Sequence, residues 1–121
     1  MTEFSKREMK LLRAVAGTSW ERELDAALDR LFEHFQEWKR GGIDAFELSE
    51  RIHRFHDGDA RDLYKFYTGA KPPIAAGYGV AHDWIESADL PQELLEKLEP
   101  TIAYYQDEAV EGDEVDLSNG T

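Results

Sequence analysis

From Trp20 to Trp38 the residues Trp20, Leu24, Ala27, Leu28, Leu31, Phe35 and Trp38 recur at offsets of 0, 4, 7, 8, 11, 15 and 18, with mostly charged residues between them. This is the spacing of one face of an α-helix. It predicts a helix from Ser19 to Arg40 that Gly41-Gly42 ends. Before it, Lys6–Ala16 reads as a first helix that stops at Gly17. After it, Ala45 to Phe55 or His56 reads as a third helix, with Phe46, Leu48, Ile52 and Phe55 turned inward. Asp57-Gly58-Asp59 predicts a break or kink, with Asp59 capping a short fourth helix through Tyr67. Three helix starts fit a capping box, in which two side chains each satisfy a free backbone N–H: Ser5-Lys-Arg-Glu8, Thr18-Ser-Trp-Glu21 and Asp44-Ala-Phe-Glu47. Phe4 with Met9 and Ile43 with Leu48 add apolar staples to two of them.

Lys71-Pro72-Pro73 reads as a stiff loop. The segment Ile74–Ile85 follows as a helix with Pro73 in its first turn. Gly77 and Gly79 each cost up to about 1 kcal/mol inside a helix relative to Ala. Close backbone packing at a buried centre offsets such a cost, and a loop against a ligand is the alternative. A sixth helix runs from near Asp89-Leu-Pro91 to Glu99-Pro100, and Thr101–Ala109 adds a last short one. No period-2 alternation, repeat or linker is visible. The expected fold is all-α: a compact bundle of five to six helices over residues 1–110, with a short, flexible, acidic tail over 111–121. Trp20, Leu24, Leu28, Leu31, Phe35, Ile52, Phe55 and Val80 are expected to share one core.

Composition sharpens this picture in three places. The 121 residues include no cysteine, which removes disulfides, zinc–thiolate sites and thiol catalysis. No apolar run approaches the roughly 18–20 residues that cross a bilayer. The polar start Met1-Thr-Glu-Phe-Ser-Lys carries no hydrophobic signal core, so a cytoplasmic protein is expected. The charge is −12, from 14 Lys+Arg against 26 Asp+Glu. Asp107, Glu108, Glu111, Asp113, Glu114 and Asp116 carry half of it in the last sixteen residues. Binding to nucleic acid draws on cation–phosphate contacts, so the acidic balance argues against it.

Candidate chemistry is sparse. Gly41, Ile43 and Glu47 resemble the turn glycine, central apolar residue and final carboxylate of an EF-hand loop. The first three ligand positions would then fall on Gln36, Trp38 and Arg40, where calcium needs oxygen ligands, mostly carboxylates. Glu50-Arg-Ile-His53 is one Glu-x-x-His step, the unit from which helical bundles build di-iron sites. His82 and Glu86 are spaced to add a second pair, and His56 is near in sequence. Arg51-Ile-His-Arg-Phe-His56 is an Arg-x4-His string similar to the signature of the HEPN family, helical domains that include many dimeric ribonucleases. That resemblance implies Arg51 binding a phosphate and His56 transferring a proton, with both pairs meeting across a dimer interface. Five positions along a straight helix, however, set the two side chains about 140° apart. They are therefore not expected to converge on one pocket.

Three Trp, five Tyr and six Phe are more aromatics than a chain this size can bury. Tyr64, Tyr67 and Tyr104 are the candidate partner-binding residues, because Tyr and Trp are enriched at interface centres. No residue set points to catalysis, a metal or a cofactor. The expected function is a non-enzymatic interaction or regulatory domain that binds a basic protein partner or itself. The alternatives are a HEPN-like ribonuclease using Arg51 and His56, and a metal-binding bundle around Glu50 and His53.

Overall fold

The computed structural model describes the backbone of residues 3–119 and side chains through residue 108. Within these limits the chain is all-helical, 84% helix with no strand. The helices are α1 (Lys6–Lys39), α2 (Ala45–Phe55), α3 (Arg61–Gly69), α4 (Pro72–Ala81) and α5 (Gln92–Asn119). A π turn over His56–Ala60 joins α2 to α3 without a break, so these segments form four rods rather than five or six separate helices. No helix among the described residues is long and apolar enough to cross a membrane. The chain divides into two compact units, Met1–Ser19 with Lys71–Thr121 and Trp20–Ala70.

Two expected boundaries are absent, for the same reason. The α1 helix runs through Gly17 and Thr18 without stopping. Thr18 Oγ1 bonds back to the carbonyl of Ala14 at 3.1 Å instead of capping a new helix. Ser19, one residue on, is fully buried. Likewise α5 passes through Pro100. A proline inside a helix costs about 3 kcal/mol, but Leu94, Leu98 and Ile102 are buried on both sides of it at a spacing of four. Burial of a continuous face holds the helix through its local breaker in each case. The backbone is helical to Asn119, and the expected acidic tail of 111–121 falls on side chains outside the described residues.

Other boundaries follow their local chemistry. Ser5 and Glu8 make the reciprocal capping box, at 2.9 and 3.0 Å. Asp44 caps α2 by accepting from the N–H of Glu47 at 2.8 Å. The first rod ends in a Schellman motif: Gly42 N–H bonds to the carbonyl of Glu37 and Gly41 N–H to that of Trp38. Gly41 takes the left-handed φ of +80° that this cap requires. Pro72 opens α4, two residues before the predicted start, and the helix ends at Ala81 rather than Ile85.

The first unit holds a closed aliphatic core of Leu12, Ala76, Val80, Ile85, Leu90, Leu94, Leu98 and Ile102, flanked by Phe4, Met9, Leu11, Val15, Ala81 and Leu95. The α4 helix packs through its glycines. A Cβ at Gly77 would lie 2.5 Å from Thr101 Cγ2, and one at Gly79 would lie 2.6 Å from Ser19 Oγ. The segment is therefore a packed helix. Lys97 ties the chain start to α5, its Nζ donating to Glu8 at 2.9 Å and to the carbonyl of Glu3 at 3.2 Å.

The second unit is built differently. Only Ala27 and Leu48 are buried among residues 20–70. Of the residues expected in one core, Leu28, Phe35 and Ile52 are exposed, Trp20, Leu24, Leu31 and Phe55 are half-buried, and Val80 belongs to the core of the first unit. Phe46, expected inward, is 87% exposed. The α2 helix turns Leu48 into the unit, and Phe46 sits about 160° around the helix from it.

Candidate functional site

The predicted tyrosines fall on two helices. Tyr64 and Tyr67 lie on α3 in the second unit, and Tyr104 lies on α5 in the first. Tyr67 stacks on Trp20 of α1, with ring centroids 5.7 Å apart and planes 5° from parallel. Its hydroxyl donates to Glu23 at 2.9 Å. Tyr67 is thus a fastening of α3 onto α1. Tyr64 meets the same indole edge-on at 6.2 Å and is 60% exposed. In the first unit Tyr104 is 62% exposed and meets Tyr105 edge-on at 5.0 Å. Tyr105 and His82 both pack on Tyr78, at 5.3 and 4.4 Å. Partial burial, then the nearby Glu108, raises the Tyr105 phenol above its ordinary pKa.

An uncovered apolar surface lies on α1. Taking buried Ala27 as zero and about 100° per residue, Leu31 and Leu24 follow around the helix, then Phe35, Leu28 and Phe32. Exposure rises in that order, from half-buried Leu31 and Leu24 to Phe32 at 58%. The arc spans about 140°, and only its Ala27 edge is closed over by the rest of the unit. Immediately beyond Phe32 come Asp25 and Asp29, with Glu21 a turn earlier. All three are exposed and enter no salt bridge among the described residues.

A cleft of about 300 Å³ lies where α1 meets α2 and the π turn, walled by Arg30, His34, Arg51, Arg54 and Asp59. Arg51 is its centre. Its Nη1 donates to His34 Nδ1 at 2.7 Å and to Glu37 at 3.1 Å, and its Nε donates to Glu47 at 2.9 Å. A guanidinium has only donors, so the His34 nitrogen accepts. The Glu47 hydrogen bond, with Glu37 as a further charge, raises the Arg51 pKa above its ordinary value. Arg54 adds weaker pairs to Glu47 and Glu50 at 3.5 and 3.8 Å, and Arg30 pairs with Asp59 at 3.6 Å. Every guanidinium here already faces a carboxylate. The arrangement clasps α1 to α2 rather than presenting unbalanced positive charge.

The structure separates the other predicted residues. His56 does not line the cleft with Arg51. Its side chain is 83% exposed and lies 3.5 Å from its neighbour Asp57. His53 pairs with Asp57 at 3.0 Å and Glu50 with Arg54. Among the described residues no three His, Asp or Glu side chains are grouped to hold a metal ion. In the first unit a second open cleft is lined by Asp83, Glu96 and Glu99, with no Lys or Arg on its wall.

Sequence reasoning missed His34 as the partner of Arg51, and it read the Leu28–Phe35 face as core. A signal for the first exists. His34 and Glu37 lie one turn apart before the Gly-Gly corner, and Glu47 and Arg51 lie one turn apart after it. Helices folded back at that corner bring the two pairs together. The chain matches no protein-family model, no curated protein and no solved structure.

Proposed function

We propose that the chain is a non-enzymatic protein-interaction module that docks a partner on its second unit. The observation that carries this reading is the arc on α1. A unit of 51 residues that buries only Ala27 and Leu48 leaves Leu28, Phe32, Phe35, Trp38, Phe46, Ile52 and Tyr64 exposed. Single exposed apolar side chains are ordinary; a contiguous row of them marks an interaction surface. Tyr64, held at one edge by Trp20, presents a pre-ordered aromatic, which loses little conformational entropy on binding. Tyr104 is a second exposed aromatic, on the first unit. The charge-compensated cleft around Arg51 supports a structural role for Arg51 rather than substrate binding.

Site-specific crosslinking tests this directly. A photoreactive phenylalanine analogue is placed at position 32, at position 64 or, as a control, at exposed Glu93 on α5, and irradiated in the host cell. Discrete crosslinked species are expected from positions 32 and 64 and not from 93. Equal crosslinking at all three, or none at 32 and 64, overturns the reading.

A further inference from the structure

The exposed row on α1 has a chemically distinct border. Leu28, Phe32 and Phe35 follow one another at spacings of four and three, so they stack along one line of the helix. Phe32 has Asp29 one turn before it, and Leu28 has Asp25. Glu21, Asp25 and Asp29 repeat at intervals of four, which puts three like charges in a ladder. Like charges at this spacing destabilise a helix by a few tenths of a kcal/mol per pair. Asp44, Glu47 and Glu37 elsewhere in the unit all have partners, whereas no described residue forms a salt bridge with this ladder. The helix thus carries, side by side, an apolar row and an acidic row without a salt bridge among the described residues, over roughly 21 Å from Glu21 to Phe35. Arg22 borders the ladder on the side away from the apolar row, and at the far end Lys39 lies over the Trp38 ring.

We infer that the occupant of this surface is an amphipathic helix of a partner protein whose apolar stripe is flanked by Lys or Arg. The inference rests on the interaction-module reading and specifies its partner. An apolar stripe covers Leu28, Phe32 and Phe35 by the helix-in-groove mode, in which anchors repeat at one helical face. Flanking cations meet Glu21, Asp25 and Asp29 and relieve their mutual repulsion. The other occupants are disfavoured by charge. A second copy laid face to face brings a second carboxylate ladder within a Debye length of the first, about 10 Å at 0.1 M salt. Nucleic acid and anionic lipid headgroups carry the same sign as the ladder.

The test uses the full chain and two synthetic fluorescent peptides of roughly 18 residues, about five helical turns. Both carry leucine along one helical face; one is flanked by lysines and the other by glutamates. The lysine peptide is expected to bind and to weaken as salt rises. The triple variant Glu21→Lys, Asp25→Lys, Asp29→Lys is expected to lose at least about tenfold in affinity for it and to gain affinity for the glutamate peptide. Phe32→Ser is expected to lose a similar factor. The equally large charge change Glu93→Lys, Glu96→Lys, Glu99→Lys on α5 is expected to leave binding within about twofold. If the triple variant on α1 does not fold, the neutralising pair Asp25→Asn, Asp29→Asn takes its place, with a smaller loss in the same direction. Equal binding of both peptides, equal loss from both charge reversals, or no binding overturns the inference. So does a wild-type dimer in sedimentation that Phe32→Ser disperses, since the occupant is then a second copy. Crosslinking at positions 32 and 64 stands apart from these outcomes: if it persists while the peptides fail, the docking surface remains and only its basic partner is lost.

Discussion

Leu94, Leu98 and Ile102 on α5 and Leu24, Leu28, Leu31 and Phe35 on α1 are equally regular apolar rows, yet the first is sealed and the second is largely open. The difference lies in what stands opposite. The α5 row meets α4, whose buried face is mostly alanine and glycine (Ala75, Ala76, Gly77, Gly79, with Val80) and comes close enough for Gly77 to touch Thr101. Small residues on one helix let aliphatic residues on the next interlock, and water is excluded. In the second unit large aromatics face short helices. Trp20 and Tyr67 hold α3 by one stacked pair, the Arg51 clasp holds α2 by polar bonds, and most of the apolar arc stays uncovered. A hydrophobic row shows which face of a helix is apolar; whether the same chain covers it depends on the elements that pack there.

The strongest way to break this comparison is to cut one residue from each row. Leu98→Ala is expected to cost about 2–5 kcal/mol in urea denaturation, as a fully buried leucine does. Phe32→Ser is expected to stay within about 0.5 kcal/mol of wild type. If Phe32→Ser proves as costly as Leu98→Ala, the arc is folded core after all.

A second pair of variants sharpens the account of the sealed unit. Gly79→Leu drives a side chain into Ser19 and Ile85 and is expected to cost about 1–3 kcal/mol or more. Gly17→Ala, in α1 where an added Cβ meets nothing within 4 Å, is expected to stabilise by up to about 1 kcal/mol through helix propensity. The same denaturation curves check both. Opposite signs are the signature of close packing at α4 alone.

The smallest expected effect is a pH dependence of the first unit. The backbone N–H of Ser5, and then Lys97, hold the Glu8 carboxyl below its ordinary pKa. A carboxylate whose pKa is lowered by folding adds stability above its unfolded pKa, and that contribution fades as pH falls through the folded value. Glu8→Gln is therefore expected to narrow the gap to wild type as the solution is acidified below the ordinary carboxylate range. A gap that is constant with pH shows that the Glu8 contacts carry no electrostatic stability.

Much of this was legible in the residues. The helical class follows from the 3.6-residue period, and Ser5, Asp44 and Gly41-Gly42 mark helix ends that the structure keeps. Gly77 and Gly79 marked the close approach. Where local signals failed, tertiary burial overrode them: Ser19 carries α1 past Gly17, and Leu98 with Ile102 carries α5 past Pro100. The site was harder to read. Tyr64 and Tyr67 stand on one helix as spacing suggested, but Tyr67 is turned to Trp20, and Tyr104 belongs to the other unit. Phe32 escaped notice because it lies just off the periodic stripe, on the side that the chain leaves open. His34 escaped because its partner stands 17 residues away across a corner.

The π turn at His56–Ala60 has a geometric consequence for the aromatic clamp. In an uninterrupted α-helix Leu48 and Tyr67, 19 residues apart, are out of phase by about 100°. A π turn absorbs one residue within its wider loop, so the rod keeps time as though the two were 18 apart, a whole number of turns. Buried Leu48 and Tyr67, stacked on Trp20, consequently fall on one line of the rod. His56–Ala60 works as an angular spacer, and the aromatic stack is set as much by that one surplus residue as by the rings that form it.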